Sequence, residues 1–154
     1  MTAAPYSPAA NTSKALVLYD GVCGLCNRFV TFLLRHDRRD SFRFAPLQSE
    51  PARAALLRHG LDISDMDTVV VVPGFGGPDE RALLRADAVL WCMRELGGIW
   101  RMATAARILP RAALGAGYRW IARRRYRIFG KSDTCPVPRP EDRHKFLVDA
   151  AQRT

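Results

Sequence analysis

The 154-residue chain has no uninterrupted apolar run approaching roughly 18 residues, so no membrane-spanning helix is expected. Its first residues, Met1 to Ser13, have neither a basic start nor an apolar run. They read as a flexible tail rather than a signal peptide, and a cytoplasmic protein is expected. Cysteine is scarce: Cys23, Cys26, Cys92 and Cys135 are the only four. In a reducing compartment these do not make a structural disulfide framework, and a CxxC there points to catalysis or metal binding. A second CxxC and an HxxxH are both absent, so a zinc site would need scattered ligands from among Cys92, Cys135, His36, His59 and His144. Acidic residues are nearly missing from one long stretch. Between Arg94 and Lys131 lie ten of the 24 basic residues and only one, Glu95, of the 15 acidic ones. That stretch therefore accounts for the whole net charge of +9.

What is present is ordinary globular material, 48% hydrophobic and 25% charged, of a length that suits one core. Ala15 to Tyr19 is a short apolar run that predicts a buried strand, broken by Asp20-Gly21. Cys26, Phe29, Val30, Leu33 and Leu34 then follow helical spacing, up to about His36. Phe42 and Phe44 flank Arg43 in a second strand ended by Pro46, and Ser49-Glu50-Pro51 opens a second helix that Gly60 closes. Thr68 to Val72 is a strongly β-branched strand. A Pro/Gly turn and a strand near Ala82 to Leu84 complete a hairpin, and a helix follows from about Asp87 to Leu96. The order β-α-β-α-β-β-α predicts a thioredoxin-like α/β core, with parallel strands first and an antiparallel hairpin after them.

Four segments are expected: a tail over 1–13, the core over 14–98, a basic helical C-terminal extension over 99–131, and an irregular tail over 132–154. The extension should hold helices at Trp100–Leu109 and Ala112–Phe129, the second with Leu114, Tyr118, Ile121 and Ile128 in register. A short helix over Glu141–Ala151 would close the chain.

The chemistry points to Cys23-Gly24-Leu25-Cys26. A strand and a Gly turn deliver both cysteines to the first turn of a helix, where free N–H groups and the helix dipole favour a thiolate. Cys23, nearer the helix end and the more exposed of the two, is expected to attack a substrate disulfide, and Cys26 on the apolar face to resolve the mixed disulfide. Asp20, three residues ahead of Cys23, either accepts or relays a proton or simply shapes the turn. Cys92 reads as core packing. Cys135, in Thr134-Cys135-Pro136, is an incidental thiol or a third redox thiol. No cofactor is called for. The alternatives are a non-enzymatic zinc module built on the CxxC, and a basic module for an anionic partner. For the latter, Arg123-Arg124-Arg125 with Tyr118, Trp120 and Tyr126 suit a membrane surface or nucleic acid, nucleic acid being the less expected partner. A solvated helix face is the favoured reading of those arginines.

At Tyr19-Asp20-Gly21-Val22-Cys23-Gly24-Leu25-Cys26 the chain resembles the DCC family of thiol–disulfide oxidoreductases, marked by a DGxCxxC opening. The resemblance continues through Arg35-His36-Asp37-Arg38-Arg39, Phe44-Ala45-Pro46-Leu47-Gln48-Ser49, Ala86-Asp87-Ala88-Val89-Leu90, Leu96-Gly97-Gly98 and Tyr126-Arg127-Ile128-Phe129-Gly130. It implies a thioredoxin-like fold, a protein or small-molecule disulfide or thiol as substrate, and Asp20, Cys23 and Cys26 as the signature. It also raises Cys135, since similar proteins often carry a cysteine near that point. Two departures are visible: Ala86 stands where a serine is expected, and Met66-Asp67-Thr68-Val69 lacks the proline that thioredoxins place opposite their CxxC.

Overall fold

A computed structural model describes residues 14–62, 69–130 and 139–147. The core is a four-stranded mixed sheet of order β2-β1-β3-β4, built from β1 (Ala15–Tyr19), β2 (Phe42–Pro46), β3 (Val70–Val72) and β4 (Leu83–Leu84). Helix α1 (Gly24–His36) carries the chain from β1 to the parallel β2. After α2 (Glu50–Arg58), β3 runs antiparallel to β1 and pairs with β4 as a hairpin. Helix α3 (Arg85–Leu96) follows. This is the expected thioredoxin-like α/β arrangement.

Arg43 apart, the strands are apolar because both faces of the sheet are covered. Val17, Tyr19, Phe42, Phe44 and Val71 pack on one side with Cys26, Val30 and Leu33 of α1 and Ala88, Trp91 and Cys92 of α3. Leu16, Leu18, Ala45, Val70 and Val72 pack on the other with Ala52, Ala55 and Leu56 of α2. Cys92 is core, as expected.

Beyond α3 the chain departs from expectation in three places. Gly98–Ile108 winds as a 3-10 helix, where an α-helix over Trp100–Leu109 was predicted. It buries no residue fully, so no continuous apolar face rewards α-geometry; Trp100 tethers it, edge-on to Phe32 and His36. Helix α4 (Arg111–Phe129) forms where predicted, but rotated: Ile121 and Ile128 are 44% and 56% exposed. Its inward stripe is Leu114, Tyr118, Arg125 and Phe129 instead. At the C-terminal end, the helix predicted over Glu141–Ala151 is replaced, over its described part to Leu147, by a 3-10 turn at Pro140–Lys145. Phe146 and Leu147 then align with β2, the Leu147 N–H donating to the Phe44 carbonyl at 2.7 Å. These two consecutive apolar residues feed opposite faces of the sheet, a strand-like alternation that a helix could not satisfy. Cys135, Thr68 and most of the tail predicted over 132–154 lie outside the described residues.

The turn between α1 and β2 is organised by Asp37. Its carboxylate accepts the N–H groups of Ser41 (2.9 Å) and Phe42 (3.2 Å) and faces the Lys145 ammonium at 3.5 Å. Asp40 beside it, held well below the usual carboxylate range chiefly by the Arg43 guanidinium, also meets Lys14 and Lys145. We expect Asp37→Ala to cost about 2–4 kcal/mol in urea unfolding, since it leaves two backbone donors without their acceptor and takes from the buried Lys145 ammonium one of its two carboxylates. Asp37→Asn, which keeps one acceptor, should cost less. An unchanged midpoint for Asp37→Ala would show that the turn does not depend on this side chain.

Candidate active site

The site begins where β1 ends. Asp20 turns the chain: its Oδ1 accepts the Val22 N–H at 3.1 Å and its carbonyl accepts the Cys23 N–H at 3.2 Å. Asn27 clamps the same turn by donating from Nδ2 to the Gly21 carbonyl at 3.0 Å. Cys23 is the N-cap of α1, with extended backbone angles, and its sulfur accepts the Cys26 N–H at 3.4 Å. A sulfur in that position occupies the place where a capping oxygen ordinarily sits, facing the first unpaired donors of the helix. Cys26 lies one turn on, and the two cysteines come within 3.3 Å of each other as free thiols.

The two sulfurs are electrostatically unequal. Cys23 is held down, to about 6, first by the hydrogen bond it accepts from the Cys26 thiol, then by the Cys26 N–H and the Arg125 charge, against the opposing effect of burial. Cys26 is pushed far up by that same shared hydrogen bond, by burial and by the neighbouring Cys23 charge, with Arg125 and the Asp20 backbone pulling the other way.

One expectation is corrected here. Cys23 was predicted to be the more exposed thiol, yet it is 0% exposed and Cys26 3%. The C-terminal end of α4 backs onto the CxxC turn. The Gly24 N–H donates to the Gly130 carbonyl at 3.3 Å, and a Cβ on Gly24 would collide with the Phe129 carbonyl oxygen. Gly130 itself has φ 73° and ψ 171°, a conformation essentially reserved for glycine.

Sequence reasoning missed two residues of this site. Arg125, assigned with Arg123 and Arg124 to a solvated face, is 3% exposed. Its Nη1 lies 3.9 Å from Cys26 Sγ and its Nη2 3.6 Å from Asp20 Oδ2. Tyr126 donates its hydroxyl to Asp20 Oδ2 at 2.6 Å and accepts from Arg125 Nη2 at 2.9 Å. Burial and the Asp20 hydrogen bond push the Tyr126 phenol up to about 12, so it stays protonated. The signal was in the sequence: Leu114, Tyr118 and Arg125 share one helical face, and an arginine on an apolar stripe is buried only with a partner. Arg123 and Arg124 are exposed, as expected, and so is Arg127.

Of the predicted site residues, Asp20, Cys23 and Cys26 are brought together. His36 and His59 are structural: His36 Nδ1 bonds the Phe32 carbonyl, and His59 Nε2 meets Glu80. Among the described residues, no group of three or more His, Cys, Asp or Glu is placed to hold a metal ion.

A thioredoxin-like sheet with a dithiol capping its first helix defines the class. The family follows from sequence comparison: residues 17–131 match the model of the DCC1-like thiol-disulfide oxidoreductases, and the chain belongs to that family. It is similar to the uncharacterized protein YuxK of Bacillus subtilis (strain 168), 32% identical over 132 residues that cover 86% of this chain and 93% of YuxK. It is also similar to the Arabidopsis thaliana protein named DCC family protein At1g52590, chloroplastic, 36% identical over 125 residues, or 80% of this chain and 70% of the relative. No solved structure matches the chain significantly. No helix among the described residues is long and apolar enough to cross a membrane.

Two outcomes are expected. In a Cys135→Ala background, thiolate absorbance of the reduced protein should rise with a midpoint near 6, below the ordinary 9.0. Cys26→Ala removes the main donor to Cys23 and should move that midpoint up towards 9.0; a starting midpoint already there would overturn the electrostatic description. Gly24→Ala should cost about 1–3 kcal/mol of stability through its collision with the end of α4. A Gly24→Ala protein as stable as its parent would show that the two turns are not in close contact.

Proposed function

We propose that the chain is a thiol–disulfide oxidoreductase in which Cys23 attacks and Cys26 resolves. The observation that carries this reading is the N-cap position of Cys23, whose sulfur accepts the Cys26 N–H while Cys26 stands within reach of it. The Cys23 thiolate attacks one sulfur of a substrate disulfide, forming a mixed disulfide and expelling the other sulfur as a thiolate that takes up a proton. Cys26 then loses its proton and attacks Cys23 Sγ, forming the intramolecular disulfide and expelling the second substrate thiol. Two electrons pass from the protein to the substrate, and a thiol reductant such as glutathione or a second dithiol protein returns them. Because Cys23 is fully covered in the dithiol form, attack on a protein disulfide requires the turn beside it to open.

Asp20 serves the site as an anchor for Arg125 and Tyr126 in this reading. That role is supported by its two oxygens being engaged by the Val22 N–H and by those two side chains. The zinc alternative is disfavoured by the Arg125 guanidinium beside Cys26, a fixed positive charge where a metal cation would have to bind. We place the activity in a reducing compartment, the cytoplasm, because the described core is built on apolar packing and needs no disulfide framework.

The test is equilibration in glutathione redox buffers followed by thiol trapping. A reversible two-electron couple is expected, with Cys26→Ser accumulating a mixed disulfide and Cys23→Ser forming none. A protein that remains a dithiol in every physiological buffer, or that carries one tightly bound zinc per chain, would sink the reading.

A further inference from the structure

Arg125 comes to the CxxC from 99 residues away, and burying a guanidinium requires compensation. Asp20 Oδ2 supplies an opposing charge at 3.6 Å and the Tyr126 hydroxyl accepts a hydrogen bond at 2.9 Å. Nη1 is directed at Cys26 Sγ, 3.9 Å away and itself buried. A guanidinium cannot lose its proton within the working range of a protein, so this positive charge is present in both redox states of the pair. Its effect on them differs. In the disulfide both sulfurs are neutral and gain little from it. In the reduced form a negative charge rests on Cys23, which accepts a hydrogen bond from the Cys26 thiol, and the guanidinium beside that thiol, screened from water, stabilises it.

We infer that Arg125 sets the redox poise of the pair: it stabilises the reduced, charged form of Cys23 and Cys26, so the site is a stronger oxidant than the same CxxC without it. The inference rests on the proposed exchange chemistry. The reaction it bears on is disulfide plus two glutathione giving dithiol plus glutathione disulfide, with the electron pair moving from glutathione sulfur into the Cys23–Cys26 bond. Asp20 acts in the opposite sense. Its carboxylate partly cancels the field of Arg125 at the sulfurs while holding the guanidinium in place.

That opposition makes the test sharp. In glutathione redox titrations with thiol trapping, Arg125→Gln should shift the equilibrium towards the disulfide by roughly tenfold, or roughly 30 mV to lower potential for a two-electron couple. Arg125→Lys, which keeps the charge, should recover most of the parental value. Asp20→Asn, which removes the cancelling charge and keeps an acceptor, should shift the equilibrium the other way, towards the dithiol. A merely structural role would not give opposite signs at Arg125 and Asp20, nor rescue by lysine. If Arg125→Gln fails to fold, the lysine and Asp20→Asn variants still carry the test. A working parental couple with the same potential in all three variants would overturn this inference and leave the exchange reading standing. A parental protein with no couple at all would overturn the exchange reading itself.

Discussion

The carboxylate of Asp20 is the point on which the site hangs. One oxygen closes the turn through Val22, and the other receives the Tyr126 hydroxyl and faces Arg125. The first residue after β1 and side chains of α4 more than a hundred positions away are thereby joined in one buried polar network. Removing one partner from a buried ion pair typically costs about 3–5 kcal/mol, because the other charge is left uncompensated. The network therefore fixes the register at which α4 crosses α1. Once that register is set, Phe129 and Gly130 lie against Gly24, and the covering of Cys23 follows from it.

The same network decides how unequal the two sulfurs are. At 3.9 Å a full charge is worth about 4 kcal/mol at an effective dielectric near 20. Yet Cys26 is pushed up, so the hydrogen bond it shares with Cys23, together with burial, outweighs Arg125. The hydrogen bond favours charge on Cys23, and Arg125 limits the penalty for charge on Cys26. In the proposed cycle both are needed in turn: Cys23 must be charged to attack, and Cys26 must become charged to resolve. A helix N-terminus alone serves the first step and does little for the second.

Much of this was legible in the sequence, and the failures have a common physical origin. The buried strand at Ala15–Tyr19, the helix after Cys23 and the crossover to Phe42–Pro46 are local patterns with both sheet faces covered, and they read correctly. Gly97 and Gly130 end α3 and α4, and both adopt backbone angles that other residues avoid. Arg125 was misread because its neighbours Arg123 and Arg124 are exposed, and a run of three arginines looks like one solvated face. On a helix, three consecutive residues point in three directions, and Ile121 and Ile128 draw the apolar stripe about 35° away from its true centre. Exposure of Cys23 was misjudged for a related reason. A helix N-terminus is open by default, and here the end of α4 packs against Gly24 beside it. Phe146 and Leu147 escaped notice because two residues are too few to display a strand period.

The sequence blocks that carry the family resemblance do two different jobs, which explains why they are scattered. Arg35-His36-Asp37-Arg38-Arg39 lies away from the CxxC turn. Asp37 there pins the first residues of β2 and the ammonium of Lys145, so that block maintains the geometry of the parallel pair. Tyr126-Arg127-Ile128-Phe129-Gly130, by contrast, is part of the site: Tyr126 bonds Asp20, and Phe129 and Gly130 border Gly24. The DGxCxxC opening is thus only half of the arrangement around the dithiol. It supplies two sulfurs and a helix end, while the backbone packed against Gly24, the cation beside Cys26 and the partners of the aspartate come from the end of α4. A basic extension that composition alone presents as a surface feature therefore contributes, through one inward-facing arginine and the tyrosine beside it, to the chemical environment of the core motif.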